Sequence, residues 1–240
     1  MTVVTTPRRK PVWAIYKIAL SYFMATSRVG PPGSRVIIYI DGFNLYYGVL
    51  KFSKDKWLDI EHLFKRLRPH DTIMKIRYFT ALSSGGKSAD QLAYLKAIET
   101  LPLVNVVRGR YKGKSVKCLV RSCAAVDKDR FFTTQEEKRT DVNIAISMLD
   151  DAYQDLCDHL IVVSGDSDLV PAVNMVKIRF PLKQVTVYVP SRNPVRGAAV
   201  ELRAAADKDR DLPLNLLKRA QLPASISDGA GGYITKPATW

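Results

Sequence analysis

The run Leu160-Ile-Val-Val-Ser-Gly-Asp-Ser-Asp168 limits the fold more than any other stretch of the chain. Four consecutive apolar residues, three of them β-branched, stop abruptly at Ser164 and Gly165 and give way to Asp166 and Asp168. A run that is apolar at both odd and even positions suits a strand covered on both faces, the habit of a parallel sheet flanked by helices. A second run, Arg35-Val-Ile-Ile-Tyr-Ile-Asp41, ends the same way, with Gly42 and Asn44 following. If the two strand ends meet, carboxylates gather at one edge of a sheet, where a hard cation could be held.

The segments between and around these runs alternate in type. Ile60, Leu63, Phe64 and Leu67 form an i, i+3, i+4, i+7 stripe and predict a helix over 60–67. Strands are predicted over 73–82, 103–107 and 184–189, and helices over 88–100 and 196–206. Thr134-Gln-Glu-Glu137 fits a capping box, so a helix is expected from there to about Asp155, with Val142, Ala145, Ile146, Leu149 and Tyr153 facing the core. Asp141 then falls on the stripe Asp141, Ala145, Met148, Ala152, unlike Asp150 and Asp151, which read as solvated. The alternation predicts an α/β three-layer sandwich around a mainly parallel five-stranded sheet. Ligands in such folds bind outside the carboxyl ends of the strands, at the point where strand order reverses.

Three regions depart from this rhythm. Residues 1–34, with Arg8-Arg9-Lys10 before an apolar run broken by Lys17, read as an extension too short and too charged to span a bilayer. Pro31-Pro32-Gly33 marks its boundary with a domain over 35–207. Residues 108–133 crowd Arg108, Arg110, Lys112, Lys114 and Lys117 and read as an inserted basic hairpin, on which Tyr111, Phe131 and Phe132 could add stacking. Residues 208–240, rich in Pro, Gly and Ser toward the end, are expected to pack loosely.

Thirty-seven Lys and Arg against 23 Asp and Glu leave a net charge of +14, which favours polyanionic partners or anionic substrates. Three cysteines, Cys118, Cys123 and Cys157, do not make a disulfide scaffold and fit a reducing cytoplasm. The pair Cys118 and Cys123 lacks the second pair that a structural zinc needs. Ser84-Gly-Gly-Lys-Ser88 lacks the full spacing of a phosphate loop and reads as a polar turn before a helix.

Several carboxylates converging in one cleft stay ionised only beside a cation. With no His or Cys nearby, hard oxygen ligands favour Mg2+ or Mn2+. Asp41, Asp141, Asp166 and Asp168 are the candidate ligands and catalytic acids, and Asn44 and Ser164 could position water or phosphate. Taken singly, Asp41 also fits an Asx-turn before Gly42 and Asp168 a simple helix cap.

Three stretches, Tyr39-Ile-Asp-Gly-Phe-Asn-Leu-Tyr46, Glu137-Lys-Arg-Thr-Asp-Val-Asn143 and Ser164-Gly-Asp-Ser-Asp-Leu169, resemble the motifs of NYN domains, PIN-like nucleases of the limkain type. The resemblance implies metal-dependent RNA cleavage, with the four aspartates at the family's acidic positions, Asn44 at its asparagine, and RNA as the partner. Arg108, Arg110, Lys112 and Lys117 are the candidate substrate contacts. Size and layout also resemble bacterial NYN-domain proteins catalogued as NADH-dependent monooxygenases of nicotine breakdown. That resemblance implies NADH, with FAD as a companion, and hydroxylation with side-chain removal on an anionic pyridine substrate. Little in the chain supports it directly: no Gly-x-Gly-x-x-Gly follows a strand, and His62, His70 and His159 are scattered. A third reading is an RNA-binding module with an inert cleft.

Overall fold

The computed structural model describes residues 33–82, 88–120, 122–126, 130–192 and 199–240. The expectations for residues 1–32, for the loop Ser84–Lys87 and for Arg196 lie outside these. At the centre is strand β1 (Arg35–Asp41), apolar on both sides and buried from Val36 to Asp41. It pairs in parallel with β2 (Thr72–Thr80), which pairs with β3 (Val104–Arg108). A basic hairpin of β4 (Arg110–Lys117) and β5 (Phe131–Lys138) follows as a separate two-stranded sheet. The main sheet resumes on the other side of β1 with β6 (His159–Val163), β7 (Gln184–Val189) and β8 (Lys208–Asp211), every pair parallel. Its order is β3-β2-β1-β6-β7-β8.

The pleat divides the core. Val36, Ile38 and Ile40 of β1 point to one side, Ile37 and Tyr39 to the other. The first side packs on α1 (Gly42–Leu45) with the π-helical turn Tyr46–Leu50, on α2 (Ile60–Leu67) and on α3 (Ser88–Glu99). The second packs on α4 (Thr140–Tyr153) and on α5 (Val170–Arg179), which follows a 3-10 turn at Ser167–Leu169. Two short helices, α6 (Val200–Ala205) and α7 (Leu214–Arg219), flank β8, and a small hairpin of β9 (Ser225–Ser227) and β10 (Tyr233–Thr235) follows. No helix among the described residues is long and apolar enough to cross a membrane.

The sheet has six strands rather than five. The sixth, Lys208-Asp-Arg-Asp211, is exposed throughout and carries no apolar signal. Such charge on an edge strand discourages pairing with other chains. The tail also differs from expectation. Leu212, Leu217, Ala220 and Leu222 are buried against the first core, and Trp57 donates its Nε1–H to Pro223 O at 2.7 Å. Trp240 packs on Trp57 and Tyr94, with ring centroids 6.4 and 5.7 Å apart.

Helix α4 corrects two further expectations. Thr134–Glu137 forms no capping box because it pairs as a strand with β4, Lys114 opposite Thr134 and Tyr111 opposite Glu137. The helix starts instead at Thr140, after Arg139 turns the chain at φ +82°. Its buried face is Thr140, Ile144, Met148, Asp151 and Ala152, whereas Val142, Ile146 and Tyr153 are exposed. Asp151, expected in solvent, is 0% exposed. It accepts from Arg77 Nε at 2.8 Å and from the Tyr39 hydroxyl at 2.8 Å, with Arg77 also bound to its second oxygen. The two-pronged ion pair decides which side of the helix turns inward.

His159 is likewise structural, 3% exposed at the foot of β6. Its Nε2 lies 2.8 Å from Thr186 Oγ1 and its Nδ1 3.3 Å from an Arg68 nitrogen. Burial, and then the Arg68 charge, push its pKa down to about 4.

Two outcomes follow. Asp151→Ala strands the Arg77 charge, so urea unfolding should show a loss of about 3–5 kcal/mol. His159 must be neutral in the fold, so its stabilisation is present above the unfolded pKa near 6.5 and is lost as pH falls toward 4, by on the order of 3 kcal/mol. Urea midpoints measured between pH 7 and 4 should therefore fall less steeply in His159→Gln than in the parent chain.

Candidate active site

The sheet order reverses between β1 and β6, and both strands end in the candidate residues. Ile40 is paired with Val163, so Asp41 and Ser164 leave the sheet side by side. Asp41 is 2% exposed and caps α1. Its Oδ1 accepts the backbone N–H groups of Phe43 and Asn44, both at 3.0 Å. Its Oδ2 accepts the Asn44 amide at 2.6 Å and the Ser164 hydroxyl at 2.9 Å. Four donors thus occupy the carboxylate. Burial still raises its pKa, working against these hydrogen bonds and reinforced by Asp166.

Asn44 is a brace between the two strand ends. While its amide N–H donates to Asp41, its carbonyl accepts the Gly165 N–H at 3.1 Å. The Ser164 hydroxyl, fully buried, donates to Asp41 and accepts the Asp166 N–H at 3.1 Å. Both side chains expected to position water or phosphate are therefore committed to holding the carboxylates in place.

Asp166 caps the 3-10 turn by accepting the Asp168 N–H at 3.0 Å, so the capping role belongs to Asp166 and not to Asp168. Asp168 is exposed. Asp141 sits in the first turn of α4, half-buried, and its pKa is pushed up to about 6 by burial and then by Asp41, Asp166, Glu137 and Asp168. Four carboxyl groups therefore lie within electrostatic reach of Asp141. No described Lys or Arg forms an ion pair with Asp41, Asp141, Asp166 or Asp168. Hard oxygen donors and uncompensated negative charge match the chemistry of a divalent cation. Among the described residues, however, no three His, Cys, Asp or Glu side chains are drawn together as a ready-made cage.

Glu137 was missed as a neighbour of this cluster. It accepts the Thr140 N–H at 3.2 Å, with the Thr140 hydroxyl as a second donor. The signal was its position four residues before Asp141, hidden by the capping-box reading. The basic residues are spread out. Arg108 is at the end of β3 and pairs with Glu99 at 2.8 Å. Arg110, Lys112 and Lys117 lie along β4, exposed, with Lys117 Nζ 5.8 Å from the centre of the Phe131 ring. Tyr111 reaches the cluster's surroundings, its ring edge-on to Phe43 at 5.9 Å.

The sequence profile of the NYN domain matches residues 35–213. A curated relative, 6-hydroxy-3-succinoylpyridine 3-monooxygenase HspA of Pseudomonas putida, is 29% identical over 241 residues, covering 86% of this chain and 75% of the relative. A crystal structure of a protein of unknown function from Vibrio parahaemolyticus superposes with a TM-score of 0.50 at 20% identity, over 78% of this chain and 97% of that one. The latter supports the fold alone.

Asn44→Ala leaves the Gly165 N–H without its partner and removes one of the two donors to Asp41 Oδ2. A stability loss of about 1–3 kcal/mol in urea titration is the expected outcome.

Proposed function

The chain belongs to the NYN domain family, a family of nucleases, and from that premise we propose that it is a divalent-metal-dependent ribonuclease acting at the four-aspartate cleft. One observation carries the reading: Asp41, Asp141, Asp166 and Asp168 share the carboxyl edge of the sheet with no described cationic side chain paired to them, and burial, then the neighbouring carboxyl groups, push Asp141 up to about 6. Asp141, Asp166 and Asp168 would hold the cation, with Asp41 buried beside them and holding the strand ends in place. When bound there, Mg2+ or Mn2+ would supply charge stabilisation on a phosphoryl oxygen and a more acidic water.

The chain's own groups have separable tasks. Asn44 and Ser164 fix the Asp41 carboxylate and tie Gly165 to it, so Asp166 and Asp168 project from a rigid turn. The first turn of α4 carries Asp141 beside the other aspartates. The net charge of +14 draws a polyanion, and Arg110, Lys112 and Lys117 offer phosphate contacts along the hairpin.

A second reading rests on the Pseudomonas putida relative, whose name describes a pyridine monooxygenase. It predicts NADH oxidation that depends on a pyridine substrate, and a yellow protein if FAD is held.

The test is cleavage of a labelled RNA by the purified full chain with Mn2+. Activity should vanish with EDTA and fall by at least about 100-fold in Asp166→Asn, matching the loss of several kcal/mol of charge stabilisation. Mn2+ should raise the melting temperature of the parent chain more than that of the variant. Intact RNA under Mn2+, together with substrate-dependent NADH consumption, would replace this reading by the second.

A further inference from the structure

Next to the carboxylate cluster is a cavity of about 200 Å3 whose walls are mostly aromatic. Phe43, Tyr46 and Tyr47 come from the turn that Asp41 caps, Tyr78 from β2, Tyr111 from β4, and Trp240 from the end of the chain. The Phe43 and Tyr47 rings lie nearly parallel, 12° apart, with Tyr111 edge-on to Phe43. Tyr47 is 57% exposed, with Lys51 Nζ 4.9 Å from its ring centre. Gly42 forms part of the wall, and a Cβ there would come within 2.7 Å of Phe79 O and 2.9 Å of the Tyr78 hydroxyl. Only glycine lets the tyrosine approach so near the end of β1.

Tyr78, 5% exposed, brings a phenol to the same wall. A phenol there can donate a hydrogen bond to an acceptor on a bound ring. Lys56 and Gln91 add polar groups to the same wall. The space is smaller than the roughly 300–1,000 Å3 of sites for drug-sized ligands, so it suits one ring system better than a dinucleotide.

We propose that this cleft is a base-binding subsite: it seats one unpaired heterocycle beside the bond cleaved at the carboxylate cluster, stacks it on the Phe43–Tyr47 surface, and selects it through a hydrogen bond from the Tyr78 hydroxyl to a ring acceptor. The inference rests on the nuclease reading for its ligand and adds a source of nucleotide preference to it. Stacking on aromatic side chains tolerates any base, whereas the phenol discriminates by the acceptor it meets.

The experiment measures binding separately from cleavage. Fluorescence anisotropy of labelled single-stranded oligoribonucleotides is recorded in EDTA, with the full chain, its Tyr47→Ala variant and its Tyr78→Phe variant. Tyr47→Ala should weaken binding of an intact strand about tenfold and leave binding of an abasic strand of equal length unchanged. Tyr78→Phe should reduce the spread of affinities among the four homopolymers while retaining the fold. Equal affinities for intact and abasic strands, or homopolymer preferences untouched by Tyr78→Phe, would overturn the subsite. So would a free pyridine carboxylate whose Tyr47-dependent binding is not accompanied by any for RNA, since the heterocycle then comes from a small molecule. Cleavage under Mn2+ is scored apart: activity whose kcat/KM is unaffected by Tyr47→Ala keeps the nuclease and loses the subsite. Base-dependent binding without cleavage keeps the subsite and loses the nuclease.

Discussion

The carboxylate of Asp41 is the joint on which the rest of the site depends. Removing a carboxylate from water costs several kcal/mol unless its lone pairs are answered. Here two backbone N–H groups, one amide and one hydroxyl answer them. These donors belong to the first turn of α1 and the end of β6, and Asp41 itself closes β1, so one side chain fastens three pieces of backbone. The same saturation divides labour within the cluster. Asp41 is mostly spent on structure, and the acceptors left for a ligand are on Asp141, Asp166 and Asp168.

The molecule carries opposite electrostatics at two scales. Summed over the chain, positive charge prevails, and it sets what is attracted from a distance. Within the cleft, carboxyl groups raise one another's proton affinity. A polyanion attracted by the first field meets repulsion from the second unless positive charge intervenes at the point of contact.

Much of this was legible in the sequence, for identifiable reasons. Strands 35–41 and 184–189 and helix 60–67 were expected with the bounds observed, because an unbroken apolar run or a clean stripe leaves a single solution. Parallel topology put the Asp41 and Ser164 strand ends at one edge of the sheet but left open whether they are neighbours, which the pairing of Ile40 with Val163 decides. Edge strand β8 was invisible, since Lys208-Asp-Arg-Asp211 is held by backbone pairing and by the contacts of Arg203 with Asp209 and Asp211. The aromatic cleft was invisible too. Tyr111 alone was noticed, because rings drawn from the turn after β1, from β2, from β4 and from the chain end share no local pattern.

The ion pair between Asp151 and Arg77 has a consequence for how the chain reaches its native state. Helix α4 has a second apolar side, with Val142, Ile146 and Tyr153, that is left in solvent. Successive residues differ by about 100° around a helix, so docking by that side would swing Asp141 away from the other aspartates. It would also leave Arg77 facing hydrocarbon. Charge here acts less as glue than as proofreading: it rejects the misoriented docking that hydrophobicity alone would accept.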